Sequence, residues 1–340
     1  MRLVLAVVLA TAACSRTPEE PTTPHTLVER TRVSMGTELR LTAWTADNEG
    51  AVRAFDRVFD EFDRLDRLLS VWHPDSDVSR VNAAAGRGPV EVDPVVIEAI
   101  ETGRQVGEWT DGKFDITFGA LSSLWKFDHD QDNVIPPRDA VRKGLPLVDF
   151  RAIAVDPVKH TVFLKRAGMR LHLGGIGKGL AVDRAAAILR AHGLNDFMIQ
   201  SGGDLYVGGR RGDRPWRGGI KDPRADRLFA ALNLQDETLS TSGDYERFFM
   251  RDGRRYHHIL DPDSGEPARG CRSVTIVTSR AAVADALSTG IFVAGPDAGM
   301  QLIELLAGVE GVIVATDNRV LVSSGLRHRL ELLSPPTDAP

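Results

Sequence analysis

An α+β fold of mostly antiparallel sheet, with flanking helices and a cleft between two lobes, is what this chain predicts, on three observations. Short β-branched or alternating runs are joined by tight turns, helical patterns arrive only at wide intervals, and the 340 residues are 42% hydrophobic and 26% charged. Such a composition supports a substantial core, and a regular βαβ repeat would need helices between successive strands.

The elements follow in order. Runs at 39–44, 162–164, 197–200, 205–207 and 273–277 read as strands, and Asp252-Gly253 as a hairpin turn. From 47 to 69, apolar residues recur at Val52, Phe55, Val58, Phe59, Phe62, Leu65 and Leu69, the spacing of one buried helical stripe. A second helix starts with Asp93 as cap and Pro94 in its first turn and runs to Trp109; a third spans 178–192 and stops at Gly193; a fourth spans 281–292.

The ends and the charge balance narrow the function classes. With 42 Lys+Arg against 47 Asp+Glu the net charge is -5, and no basic stripe exists to track a nucleic acid. Residues 1–13 read as a signal peptide, since the apolar run from Leu3 to Ala13 is far shorter than the roughly 20 residues a membrane span needs. Ala12-Ala13-Cys14 resembles the end of a lipobox, so Cys14 is the expected lipid anchor. Residues 14–25 then form a polar linker, 26–333 the folded body, and 334–340 a disordered tail. With Cys14 lipidated, Cys271 has no partner and is expected to be packed.

Chemistry concentrates in a few motifs. LHLGGIGKGLAVD leads into the third helix with four glycines and Lys178, a pattern suited to an anion at a helix N-terminus, although a glycine turn with a surface lysine has the same pattern. His172 and Gly179 stand where a Walker loop needs Gly and Ser/Thr. In ADALSTGIF, Asp285 and Thr289 share a helix face beside Ser288, a hard-oxygen set suited to Mg2+ or to a solvated helix surface. In YHHILDPDSGEP, His257 and His258 would point to opposite faces of a strand and so do not readily share one zinc; one of them is an acid/base candidate, and a hydrogen-bonded structural imidazole has the same pattern. Met35 in SMGT, Trp72, and Phe114 with Asp115 in GKFDIT would bracket a flat ring or pack a core; SGGD (201–204) and IKDPR (220–224) are turns of close backbone approach.

In this order and over about 31–315, these motifs resemble the ApbE family of FAD:protein FMN transferases. The resemblance implies an ApbE-like fold and an enzyme that takes FAD with Mg2+, transfers FMN to a Thr or Ser hydroxyl of an acceptor flavoprotein, and releases AMP. It implies export as a membrane-anchored lipoprotein facing the periplasm. It further implies Asp285, Ser288 and Thr289 with a carbonyl near Gly175 at the metal, Lys178 at the phosphates, and His258 as base with Asp285 in the catalytic set. Met35, Trp72, Phe114, Asp115, His172 and Ile259 fall at or beside cofactor contacts. His172 replaces a usual Asp, and Ser288 stands where some relatives carry another carboxylate. An FAD pyrophosphatase and a non-catalytic FAD-binding lipoprotein are the competing functions.

Overall fold

The computed structural model describes residues 24–127 and 130–339, so the expected signal peptide, Cys14 and most of the linker lie outside the described residues. Its frame is one antiparallel sheet of eight strands: β1 (Thr26–Ser34), β2 (Thr37–Thr45), β3 (Phe197–Ser201), β4 (Asp204–Gly208), β5 (Glu237–Gly243), β6 (Cys271–Thr278), β7 (Glu310–Ala315) and β8 (Val320–Val322). They lie side by side in chain order. Each segment between two strands is therefore an excursion that leaves and rejoins the sheet next to its starting point.

The longest excursion, between β2 and β3, carries α1 (Asn48–Leu69), α2 (Pro94–Trp109) and α3 (Gly177–Ala191); α4 (Ala281–Ala294) and α5 (Pro296–Leu305) follow β6. Local chemistry sets the starts and stops. The Asp47 carboxylate accepts from Gly50 N at 2.7 Å and that of Asp93 from Val95 N at 2.9 Å, satisfying amides that have no partner inside the helix. Gly193, at φ 78°, turns the chain out of α3. The apolar stripe of α1 is buried from Phe55 onward, with Phe55, Val58, Phe62 and Leu65 fully covered, whereas Val52, expected in the same stripe, is exposed. Each such side chain contributes roughly 1.5–3 kcal/mol of transfer free energy.

One sheet face packs against these helices. The other is covered by a three-stranded sheet of Trp216–Lys221, Leu228–Leu234 and Leu330–Leu332, where Phe229 and Leu232 meet Val207, Leu239 and Val277. Because both faces are covered, every residue of β6 is buried, and its alternation of residue types does not mark an exposed side. The two outer strands Trp216–Lys221 and Leu228–Leu234, together with β1, β5 and β7, are absent from the strand expectations.

A smaller apolar cluster forms the second lobe. A hairpin of Phe248–Arg251 and Arg254–His257 turns at Asp252 and Gly253, both at positive φ, and packs Phe249 and Tyr256 against Trp125 and Phe127. The ring pairs lie 5.7 Å (Phe127–Phe249) and 6.0 Å (Trp125–Tyr256) apart. The cleft lies between this lobe and the main core.

The C-terminal tail departs from expectation. Instead of being disordered, it is bonded into the body: Thr337 donates to Asp222 from its N (2.9 Å) and Oγ1 (2.7 Å), Arg272 donates to the Thr337 carbonyl at 3.0 Å, and Asn318 to that of Pro336 at 3.0 Å. Asp222 is 1% exposed, and a carboxylate so buried requires donors, which the tail supplies. Cys271 is buried and free, and burial pushes its thiol up to about 12, so it is packed and unreactive.

Candidate functional site

Two hairpin turns open the site at one end of the sheet. Ser34 pairs with Thr37 across a two-residue turn of Met35 (φ 48°) and Gly36 (φ 75°), and Ser201 pairs with Asp204 across Gly202 (φ 58°) and Gly203. Met35 holds a left-handed conformation that is unfavourable for a side chain, and this aims it into the cavity. A Cβ on Gly202 would lie 2.8 Å from Thr37 Oγ1, so the two turns touch.

The glycine-rich entry to α3 comes next. A Cβ on Gly179 would lie 2.3 Å from the Ala281 carbonyl oxygen and 2.8 Å from Ala282 Cα, backbone that cannot yield. The absence of a side chain therefore lets α3 cross the start of α4 in direct contact. That approach allows Asp285, on α4, to accept from Gly179 N at 3.0 Å while Lys178 Nζ sits 3.2 and 3.3 Å from its two oxygens. One amide of the expected anion-binding terminus is thus already engaged by a side chain of α4. Gly179→Ala is expected to force the helices apart, costing about 1–3 kcal/mol in thermal or urea unfolding; a variant as stable as the parent would contradict this account of the motif.

Lys178 also lies 3.4 Å from Asp204, so one ammonium bridges two buried carboxylates. Its charge is strongly favoured: the two carboxylates outweigh burial and hold its pKa well above the usual lysine value. The Asp204 pKa is also raised, by burial and then by Asp285, which for a carboxyl disfavours the charge. Neither the Lys178 partnership with Asp204 nor the place of Arg247 in the cavity wall is legible in the sequence. SGGD signals only a turn, and STSGDYERFF, which holds Arg247, carries no local signal that places this arginine at a cavity.

His258 follows the hairpin of the second lobe. Its backbone N donates to the Arg247 carbonyl at 3.1 Å, and its Nδ1 lies 3.3 Å from the same oxygen. A carbonyl only accepts, so Nδ1 carries the proton and Nε2 keeps its lone pair. Burial, then the positive charge of Arg247, depresses its pKa well below the ordinary value, so the imidazole is neutral at pH 7. His257 points the other way, is 4% exposed, and bonds the Ala268 carbonyl at 2.8 Å.

All the residues expected at the site line one cavity of about 870 Å³, except Ser288. This size falls within the roughly 300–1,000 Å³ of small-molecule and cofactor sites. Ser288 is fully buried, donates to the Asp285 carbonyl at 2.9 Å and bonds Ser242 Oγ at 2.8 Å. It fastens α4 to β5 and does not line the cavity, whereas Thr289, which also bonds Ser242 Oγ at 3.0 Å, does. Asp115 lines the cavity, yet its oxygens are engaged by Thr117 N (2.7 Å), Thr117 Oγ1 (2.5 Å) and Phe150 N (2.9 Å), so it shapes the loop that presents Phe114. His172 accepts from Gly174 N at 3.1 Å through Nδ1 and lies against Phe118. Trp72, half exposed, stands at the rim.

The donor set fits a hard divalent cation. Thr289 lines the cavity four residues from Asp285, and a Cβ on Gly175 would lie 3.8 Å from its Oγ1, which places that glycine beside Thr289. Among the described residues no group of three or more His, Cys, Asp or Glu gathers.

A glycine-rich helix entry, an ammonium that bridges two buried carboxylates and a histidine line one cofactor-sized cavity on an antiparallel α+β frame. Comparison with known proteins gives the family: the chain belongs to the ApbE family, whose model matches residues 35–313. A Treponema pallidum protein named FAD:protein FMN transferase is 34% identical over 89% of each chain, and a Klebsiella pneumoniae protein of the same name is 32% identical over 88% of this chain and 93% of its own. The crystal structure of the ApbE protein of Thermotoga maritima superposes with a TM-score of 0.82 at 32% identity, covering 89% of this chain and 99% of that one.

Proposed function

We propose that this chain is an Mg2+-dependent FAD:protein FMN transferase that moves FMN from FAD to a Thr or Ser hydroxyl of an acceptor protein and releases AMP. The observation that carries the reading is His258: a neutral imidazole, its Nδ1 proton fixed on the Arg247 carbonyl, in the same cavity as Lys178 and Asp285. In the reaction the acceptor oxygen bonds to the FMN-side phosphorus, the bond from that phosphorus to the bridging oxygen breaks, and AMP leaves with that oxygen. The hydroxyl proton passes to His258 Nε2. Lys178 faces the phosphates and balances their charge. Asp285 and Thr289 side chains with the Gly175 carbonyl are the groups to hold Mg2+, which when bound supplies charge neutralisation at the phosphate oxygens.

Met35, Phe114 and Ile259 give apolar faces for the flavin nucleotide, and Trp72 a stacking face at the rim. Trp72→Ala is expected to raise the KM for FAD about tenfold with kcat little changed, the loss of roughly 1.4 kcal/mol of binding common to ground and transition states; a fall in kcat at unchanged KM would place Trp72 elsewhere in the cycle. We further propose export and lipid anchoring through Cys14 at a membrane facing the periplasm, which Cys14→Ser should abolish in a fractionation assay.

The function is tested by following AMP release from FAD and Mg2+ with and without an acceptor. Release that requires the acceptor supports transfer. AMP and free FMN formed at equal rates without it would assign a pyrophosphatase, and intact bound FAD a carrier.

A further inference from the structure

We infer that Asp204 is a positioning residue that holds Lys178 at the phosphates and thereby frees Asp285 for the divalent cation. The inference rests on the reading of Asp285 as the cation-binding carboxylate. Lys178 Nζ lies 3.2 Å from Asp285 Oδ1 and 3.4 Å from Asp204 Oδ2, with the two acidic side chains 7% and 3% exposed. A second cation on Asp285 repels the ammonium, and a buried charge without a partner is costly. Asp204 gives Lys178 a partner it already touches, so the exchange needs little movement.

Asp204 is built to stay in place. It opens β4 directly after the Gly202-Gly203 turn and lies opposite Ser240 of β5, whose hydroxyl donates to Oδ1. Its other oxygen, Oδ2, is buried, accepts no hydrogen bond within normal geometry among the described residues, and faces the Lys178 ammonium at 3.4 Å. The SGGD turn thus delivers one carboxylate beneath the glycine-rich entry of α3. Without that carboxylate Lys178 pairs with Asp285 alone and competes with the cation for it.

The test is a double-mutant cycle on the intact protein without FAD, with Mn2+ alone as the probe, read by electron paramagnetic resonance or calorimetry. Asp204→Asn is expected to weaken Mn2+ binding about tenfold when Lys178 is present and less than about threefold in the Lys178→Met background, a non-additivity that marks direct coupling. Equal losses in the two backgrounds would overturn the inference, because Asp204 would then act as a ligand or through its field. Ser240→Ala, which loosens Asp204 without removing its charge, should give a smaller loss of the same sign, again only with Lys178 present; this protects the test if the Asn variant folds poorly. Asp285→Ala is the separate control, and unchanged Mn2+ binding there would remove the cation reading itself.

Discussion

His258→Ala lowers kcat for flavin transfer by about 10²–10⁴-fold while FAD affinity stays within a few-fold, the range expected when a positioned general base is removed. The physical basis is the fixed tautomer. With Nδ1 committed to the Arg247 carbonyl, the unprotonated Nε2 is the nitrogen available to a hydroxyl, and no conformational search is needed to find it. The pH dependence carries the sign. Burial and Arg247 depress the imidazole pKa well below 6.5, so protonation, which blocks the base, sets in only at correspondingly lower pH. The acid limb of kcat/KM, which reports the free enzyme, should fall below pH 6.5 and vanish in His258→Ala. A limb at or above that value, or its survival in the variant, assigns the titration to another group.

Asp285→Ala carries the second large effect, a loss of turnover of about 10³-fold or more that added Mg2+ does not restore, since a cation at a phosphoryl group is worth several kcal/mol of transition-state stabilisation. Asp285 is 5% exposed and accepts from Gly179 N and Lys178, so the alanine variant also leaves the buried Gly179 N–H without its acceptor, while Lys178 keeps Asp204. Asp285→Asn keeps an acceptor for Gly179 and separates the effects: normal melting with lost cation dependence points to the metal, whereas early melting with Mg2+ dependence retained points to the helix contact alone.

Elements with a strong local signature are readable from the sequence. The stripe of α1, the Asp93-Pro94 start of α2 and the Asp252-Gly253 turn each rest on interactions within a few residues, and the structure places them where those interactions require. The outer three-stranded sheet is not readable, because strands such as Leu228–Leu234 owe their form to burial against distant residues. The tail misleads for a similar reason. Its composition is polar and proline-rich, but Asp222, more than a hundred residues earlier, needs the donors it brings.

The site shows the same division. Asp285 and Thr289 stand four apart on one helix and can be paired on spacing alone, whereas the bonds of both Ser288 and Thr289 to Ser242 follow from the packing of α4 on β5. Asp204 meets Lys178 only because the sheet and the α3–α4 crossing bring two separate glycine turns together. No local pattern encodes such a meeting.

The measurement that bears most directly on the central claim is the intact mass of an acceptor protein carrying a Thr or Ser flavinylation motif, after incubation with this enzyme, FAD and Mg2+. The account predicts an acceptor heavier by one phosphoester-linked FMN, with AMP released in equal amount and product formed about 10²–10⁴-fold more slowly when His258 is replaced by alanine. An acceptor of unchanged mass beside stoichiometric free FMN and AMP would contradict it.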